Sequence, residues 1–125
     1  MTAGRDDSGM DVVTKLQLKP GQTLAVVNPP EVLPDGLPVA DTDPAGSDAV
    51  LAFVRNRGEL DIAAPALEAA RADRPAWVAY PKGGQLGTDL NRDTLAAALV
   101  GRGGVRPVRQ VALDDVWSAL RFRPA

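Results

Sequence analysis

Neither histidine nor cysteine occurs in this 125-residue sequence, so any chemistry must come from carboxylates, lysines, arginines, hydroxyls and the single tyrosine. Thiol nucleophiles, disulfides, imidazole or thiolate metal sites and histidine acid–base catalysis are excluded at once. The densest remaining cluster is Tyr80-Pro81-Lys82-Gly83-Gly84, followed by Thr88 at the expected start of a helix. Loop amides, a helix N-terminus and a lysine in that order can hold a phosphate or a carboxylate. The lysine precedes the glycines, the reverse of a phosphate loop, and a solvated lysine in a turn is the plain alternative. Arg55 and Arg57 bracket Asn56, which in an extended segment sends both guanidinium groups to one side, where they can grip an anion. The competing reading pairs them with Glu59, Asp41 or Asp43. Arg92 lies one turn into the polar run Thr88 to Asp93, within reach of the same place or of Asp89 and Asp93. That run otherwise reads as helix capping.

Other polar groups read as structural. Asp114-Asp115 offers adjacent carboxylates, but a hairpin turn sends such neighbours different ways and explains them better than a metal pair. Trp77 and Trp117 fall in apolar runs and are assigned to the core; Tyr80 ends its run, where its hydroxyl is expected to be wet. No base, nucleophile and orienting group can be assembled, so no catalytic residue, metal ligand or cofactor is assigned.

The elements that must position these residues follow from the apolar pattern. Residues 1–10 are polar and glycine-bearing and predict a disordered tail, leaving residues 11–125 as one α/β domain. Asp11 can cap a short helix reaching Leu16, and the turn Lys19-Pro20-Gly21-Gln22 leads into a strand over 23–28 that ends at Asn28. The stretch 29–47 holds five prolines, two glycines and three aspartates. It predicts a long loop, with at most a short edge strand at 37–40. A second strand over 48–54 and a third over 76–80 are continuous rather than alternating, which suits parallel strands covered on both faces. Between them 59–72 reads as a helix interrupted near Ala64 by Pro65, with Asp61 as a cap. A helix from Thr88 or Asp89 to Val100 follows, and strands over 105–113 and 116–123 make an antiparallel hairpin around Asp114-Asp115. The alternation predicts a small Rossmann-like, mostly parallel sheet with helices on both faces and a C-terminal antiparallel hairpin. The expected strand order places the first strand beside the second, then the third.

Charge narrows the partners. Residues 1–48 carry eight acidic and three basic side chains, whereas 49–125 carry eight acidic and eleven basic ones. Five scattered aromatics in a chain of net charge −2 do not make a nucleic-acid stripe. No apolar run approaches the roughly 20 residues of a membrane span and the first ten lack a signal-peptide core, which makes the cytoplasm the expected location.

Leu18-Lys19-Pro20-Gly21 before an apolar strand, Trp77-Val78-Ala79-Tyr80-Pro81, and the closing hairpin together resemble a shortened Rossmann-type S-adenosylmethionine-dependent methyltransferase. More narrowly, Tyr80-Pro81-Lys82 and Trp117-Ser118-Ala119-Leu120-Arg121-Phe122 are similar to the patterns of a small bacterial family of unknown function, over about residues 15–124. The first resemblance implies a last strand inserted antiparallel beside the third, and a cofactor loop after the first strand; here Asn28-Pro29-Pro30-Glu31 stands where such enzymes carry glycine, adding bulk and removing amide donors. No S-adenosylmethionine site is therefore expected. The favoured reading is a non-enzymatic binding or regulatory module on a degenerate scaffold, recognising an anionic metabolite or an acidic protein segment. Asn28, Arg55, Arg57, Tyr80, Lys82, Gly83, Gly84, Thr88 and Arg92 are its candidate ligand residues, beyond the carboxyl ends of the strands. A divergent methyltransferase-like enzyme in the same cleft, and a structural subunit that pairs as a homodimer through an exposed edge strand or an apolar patch, are the alternatives.

Overall fold

A computed structural model describes residues 12–19, 21–33, 37, 43–83 and 85–125. The expected tail over 1–10, the cap at Asp11, the 38–40 part of the edge strand, Asp41 and Gly84 lie outside the described residues. Eight elements succeed one another: α1 (Val12–Lys15), β1 (Leu24–Val27), β2 (Ala49–Phe53), α2 (Ala64–Arg71), β3 (Ala76–Pro81), α3 (Arg92–Val100), β4 (Val105–Ala112) and β5 (Trp117–Pro124). Short 3-10 turns occupy Pro44–Gly46, Arg57–Ala63 and Gln85–Gly87.

Local chemistry sets the helix bounds. The helix expected over 59–72 divides where Pro65 requires it. A 3-10 segment runs to Ala63 and the α-helix begins at Ala64, so the proline falls in the first turn, where its missing amide is not needed. Asp61 does not cap it; its carboxylate instead meets Arg102 at 2.8 Å. The later helix starts at Arg92 rather than Thr88. Asn91 Oδ1 accepts from the Thr94 amide at 2.9 Å while Thr94 Oγ1 accepts from the Asn91 amide at 2.8 Å, a reciprocal cap that fixes the start.

The sheet order is β1-β2-β3-β5-β4, with β5 inserted antiparallel between β3 and β4 as expected. Two features differ from the expectation. The β1/β2 and β2/β3 pairings are parallel and the other two antiparallel, so the sheet is evenly mixed in its pairings rather than mostly parallel. Inserting the return strand of the hairpin between its neighbours makes both of its pairings antiparallel. Nor do the two longer helices divide between the faces. Right-handed crossovers that all step in one direction across a sheet place every connection on one face. Here β1, β2, β3 and β4 advance without reversal, and α2 and α3 accordingly share a face.

The packing shows this division. Val50, Ala52, Val54, Val78, Leu120 and Phe122 form one core with Leu67 and Ala70 of α2 and Leu95 and Leu99 of α3. On the opposite face Leu51, Phe53, Trp77, Ala79, Trp117 and Ala119 are covered by Leu16, Leu18 and Leu113, with Leu33 and Leu37 at the margin. Both tryptophans are core residues. The Trp77 indole donates to the Leu16 carbonyl at 3.1 Å, and Trp117 meets Phe53 edge to face with ring centroids 4.9 Å apart. No helix among the described residues is long and apolar enough to cross a membrane.

Candidate functional site

The carboxyl ends of β1, β2 and β3 meet at one edge of the sheet, as the parallel register requires, but the polar groups there fall into two regions. In the first, beyond β1 and β2, the chain satisfies itself. Asn28 adopts a left-handed conformation (φ 55°), which asparagine tolerates better than most residues. Its side-chain amide donates to the Phe53 carbonyl at 3.0 Å and to Glu59 Oε1 at 3.5 Å. Glu59 also accepts from the Arg55 backbone amide at 2.8 Å and from Arg55 Nε at 3.2 and 3.0 Å. The hydrogen-bonded Arg55 side chain, opposed by partial burial, holds the Glu59 carboxyl below the usual carboxylate range, and the Glu59 hydrogen bond raises Arg55 in turn. Arg57 contributes only its backbone amide, which donates to Asp89 Oδ1 at 2.9 Å and ties the 3-10 segment to the loop before α3.

The second region is open. Beyond β3, a cleft of about 230 Å³ is lined by Tyr80, Lys82, Gly83, Asn91, Arg92, Gln110 and Ser118. Lys82 is held there by its backbone, whose amide donates to the Val116 carbonyl at 2.7 Å. Its side chain is half-buried, and its ammonium has no partner among the described residues. Arg92 begins α3 and donates through Nε and Nη2 to Asp93 Oδ1 at 3.2 and 3.1 Å, a pair in which both side chains are largely exposed. Such a pair is weak and exchangeable. Tyr80 is buried rather than wet, and its hydroxyl accepts from Gln110 Nε2 at 2.9 Å. Burial pushes the phenol up, while hydrogen bonds from Ser118 and Gln110 and the charge of Arg92 draw it back in part. Tyr80 therefore stands in the cleft as a neutral hydroxyl. Among the described residues no carboxylate lines the cleft itself, whose floor is neutral and hydrogen-bonding; the nearest acid, Asp93, stands beside it on Arg92 and its charge reaches Tyr80.

The cleft shares Arg92 and Gln110 with a groove of about 380 Å³ between α3 and β4, whose walls combine Ala96, Pro107, Val108 and Leu120 with Asp93 and Arg109. An anionic head at Lys82 would thus have a partly apolar channel for its body.

Of the residues singled out from sequence, the structure brings Tyr80, Lys82, Gly83 and Arg92 together. Asn28, Arg55 and Arg57 do not line this cleft, because the Asn28–Arg55–Glu59 network closes on itself and Arg57 is held at the neighbouring turn. Thr88 is a turn residue whose hydroxyl accepts from the Leu90 amide at 3.0 Å. Gly84 lies outside the described residues. Asp114 serves its turn, accepting from the amides of Val116 and Trp117 at 2.8 Å each. Three lining residues escaped sequence reasoning: Asn91, Gln110 and Ser118. Ser118, polar between Trp117 and Ala119 in an apolar strand, carried a signal. Gln110 did not, since its face depends on a bulge in β4 between Pro107 and Arg109. No protein-family model matches the chain, and no curated protein matches it either.

Proposed function

We propose that this chain is a non-enzymatic binding module that takes an anionic group, on a small metabolite or an acidic protein segment, between Lys82 and Arg92. Lys82, a half-buried residue whose ammonium is unpartnered among the described residues over a cleft whose described lining holds no carboxylate, carries this reading. The anion would accept from Lys82 and from Arg92 as the latter leaves Asp93, with the Tyr80 hydroxyl, Ser118 and Asn91 orienting it. The adjoining groove gives the combined site the dimensions of small-ligand pockets.

A Rossmann-type, methyltransferase-like enzyme is the second reading, and two observations weigh against it. Open α/β sheets bind cofactors where strand order reverses, and β1, β2, β3 and β4 do not reverse. At the end of β1, Asn28-Pro29-Pro30 supplies bulk in place of glycine, and the nearby Arg55 and Glu59 already bind each other. Self-association through β4 is disfavoured by Arg106, Pro107, Arg109 and the bulge, all devices that block strand addition at an edge.

Calorimetry on the full chain tests both readings, with a panel of carboxylates and phosphate monoesters beside S-adenosylmethionine. The binding reading expects at least one anion whose affinity falls in Lys82→Ala and holds in Lys19→Ala, an exposed lysine at the opposite end of the sheet. If no anion distinguishes the two variants, the proposal fails. A low-micromolar dissociation constant for S-adenosylmethionine, about −8 kcal/mol, would install the enzyme in its place.

A further inference from the structure

The face of the sheet opposite α2 and α3 carries an arrangement that folding alone does not favour. In the β4/β5 register Arg106 stands directly across from Arg123, and Arg109 directly across from Arg121. Like charges opposite one another on neighbouring strands destabilise a sheet, and here two such pairs lie side by side. The bulge creates the second pair. Arg106 and Arg109 are three residues apart, so a regular strand would point them to opposite faces; the extra residue between Pro107 and Arg109 returns Arg109 to the face of Arg106. With Gln17 and Val108 these four arginines surround a hollow of about 360 Å³.

The groups in the hollow are poorly compensated. Asp73 is the one carboxylate that bonds any of the four among the described residues, meeting Arg123 at 3.1 Å. Arg106 Nε donates to the Pro124 carbonyl at 3.2 Å, and Arg121 Nη1 donates to Gln17 Oε1. The Arg109 guanidinium has no partner among the described residues, and the Nε of Arg121 is buried with none. Burial first, then the charges of Arg123 and Arg109 against the relief from Asp73, leave the Arg121 guanidinium below its ordinary value.

We propose that these four arginines form a second anion site, distinct from the Lys82 cleft, that takes one phosphate-type oxyanion of a small ligand. Cross-strand neighbours about 5 Å apart and same-strand neighbours about 7 Å apart make a frame matched to a single tetrahedral anion, gripped by guanidinium forks. A phosphate would also give the idle Nε of Arg121 an acceptor and neutralise the repulsion built into both pairs. Among the described residues no aromatic ring lines the hollow, so stacked bases have no platform and nucleic acid is the poorer fit.

The test is a titration of the isotope-labelled full chain, following arginine Nε–H resonances, with inorganic phosphate, glycerol phosphate and a short single-stranded oligonucleotide in separate arms. Phosphate or its monoester should shift the Arg109 and Arg121 signals saturably with a dissociation constant of about 1 mM or tighter. Tighter binding of the monoester would assign the anion to a phosphorylated metabolite, and tighter binding of phosphate to the free ion. Arg109→Gln should weaken binding about tenfold, the scale of a charge-assisted bond. Its thermal midpoint without phosphate should be no lower than that of the wild type, because a like-charge pair has been removed. Arg121→Lys keeps the charge, loses the fork and should weaken binding as well, while Lys19→Gln should change nothing. Absence of a saturable shift, equal weakening in Lys19→Gln, or a response to the oligonucleotide alone would each overturn the proposal.

Discussion

The two regions at the carboxyl edge of the sheet contain similar residues and have opposite fates. Beyond β1 and β2, Asn28, Arg55 and Glu59 form a closed set in which the charged groups bond within the set. Beyond β3 and β5, Lys82 and Arg92 stand over a cleft whose described lining supplies hydroxyls and amides but no counter-charge. The difference originates in the segment after each strand. Glu59 lies four residues beyond Arg55 in a 3-10 segment that folds back onto the strand end, whereas the turn after Lys82 brings no acid with it. A cation at a strand end becomes a candidate ligand group when the local chain leaves it unpaired, and its position alone does not decide the matter.

Substitutions on each side should separate the regions. The largest effect is expected in the open one: Lys82→Ala should lose about 1.5–3 kcal/mol of anion affinity, the range for a bond to a charged group, with little change in unfolding free energy. In the closed region Glu59→Ala should do the reverse. It should cost about 1 kcal/mol of stability, a low figure because solvent reaches the Arg55 side of the pair, and leave anion affinity intact. The Glu59 carboxyl titrates lower in the folded chain than in the unfolded one. Its contribution is therefore complete above the ordinary carboxylate range and disappears as pH falls through the folded value, so Glu59→Ala should flatten that part of an acid-unfolding curve. Loss of anion binding in Glu59→Ala would mean that the two regions are coupled and that the contrast between them is wrong.

Tyr80→Phe sharpens the contrast at its boundary, where the open cleft meets the core. Removing the hydroxyl leaves Gln110 without this acceptor and should cost about 0.5–1.5 kcal/mol. Because burial raises the folded phenol above its unfolded value, its contribution is present below about pH 10 and fades as pH rises through the folded value. Tyr80→Phe should consequently start from a lower stability and flatten the alkaline part of the unfolding curve relative to the wild type.

Much of this fold was legible from pattern. Continuous apolar runs ending in Asn28, Val54 and Tyr80 announced the parallel strands, and the long runs around Asp114-Asp115 announced the hairpin; its insertion beside β3 was an expectation of the methyltransferase resemblance and not of the runs themselves. The face chosen by the helices was legible only from the strand order: the expected order advances without reversal and right-handed crossovers then keep α2 and α3 on one face, so helices on both faces did not follow from it. Site residues divided similarly. Lys82 and Arg92 were visible as types near a strand end, but the pairing of Arg55 depended on a 3-10 fold-back, and the orientation of Gln110 and Arg109 on one unpaired residue in β4. Arg106, although remote from the Lys82 cleft, lines the arginine hollow and is no neutral control for it. Lys19 is the better control for that reason.

The smallest expected effect probes the one ion pair that borders the open cleft among the described residues. Arg92 and Asp93 are adjacent in sequence and both largely exposed, so their pair contributes little, yet Asp93 competes with any anion for the Arg92 guanidinium. Asp93→Asn should tighten anion binding by about twofold to fivefold, the span of an exposed pair. Asp93 also sits in the first turn of α3, where a negative charge favours the helix dipole, so the same change should slightly lower the thermal midpoint. The two effects have opposite signs and separate readouts. Calorimetry would report the gain in affinity, which raised salt should shrink as it screens the exposed charges. Unfolding in the absence of ligand would report the loss in the helix. An affinity unchanged by Asp93→Asn would show that Arg92 takes no part in holding the anion, leaving Lys82 and the neutral floor of the cleft to account for the site alone.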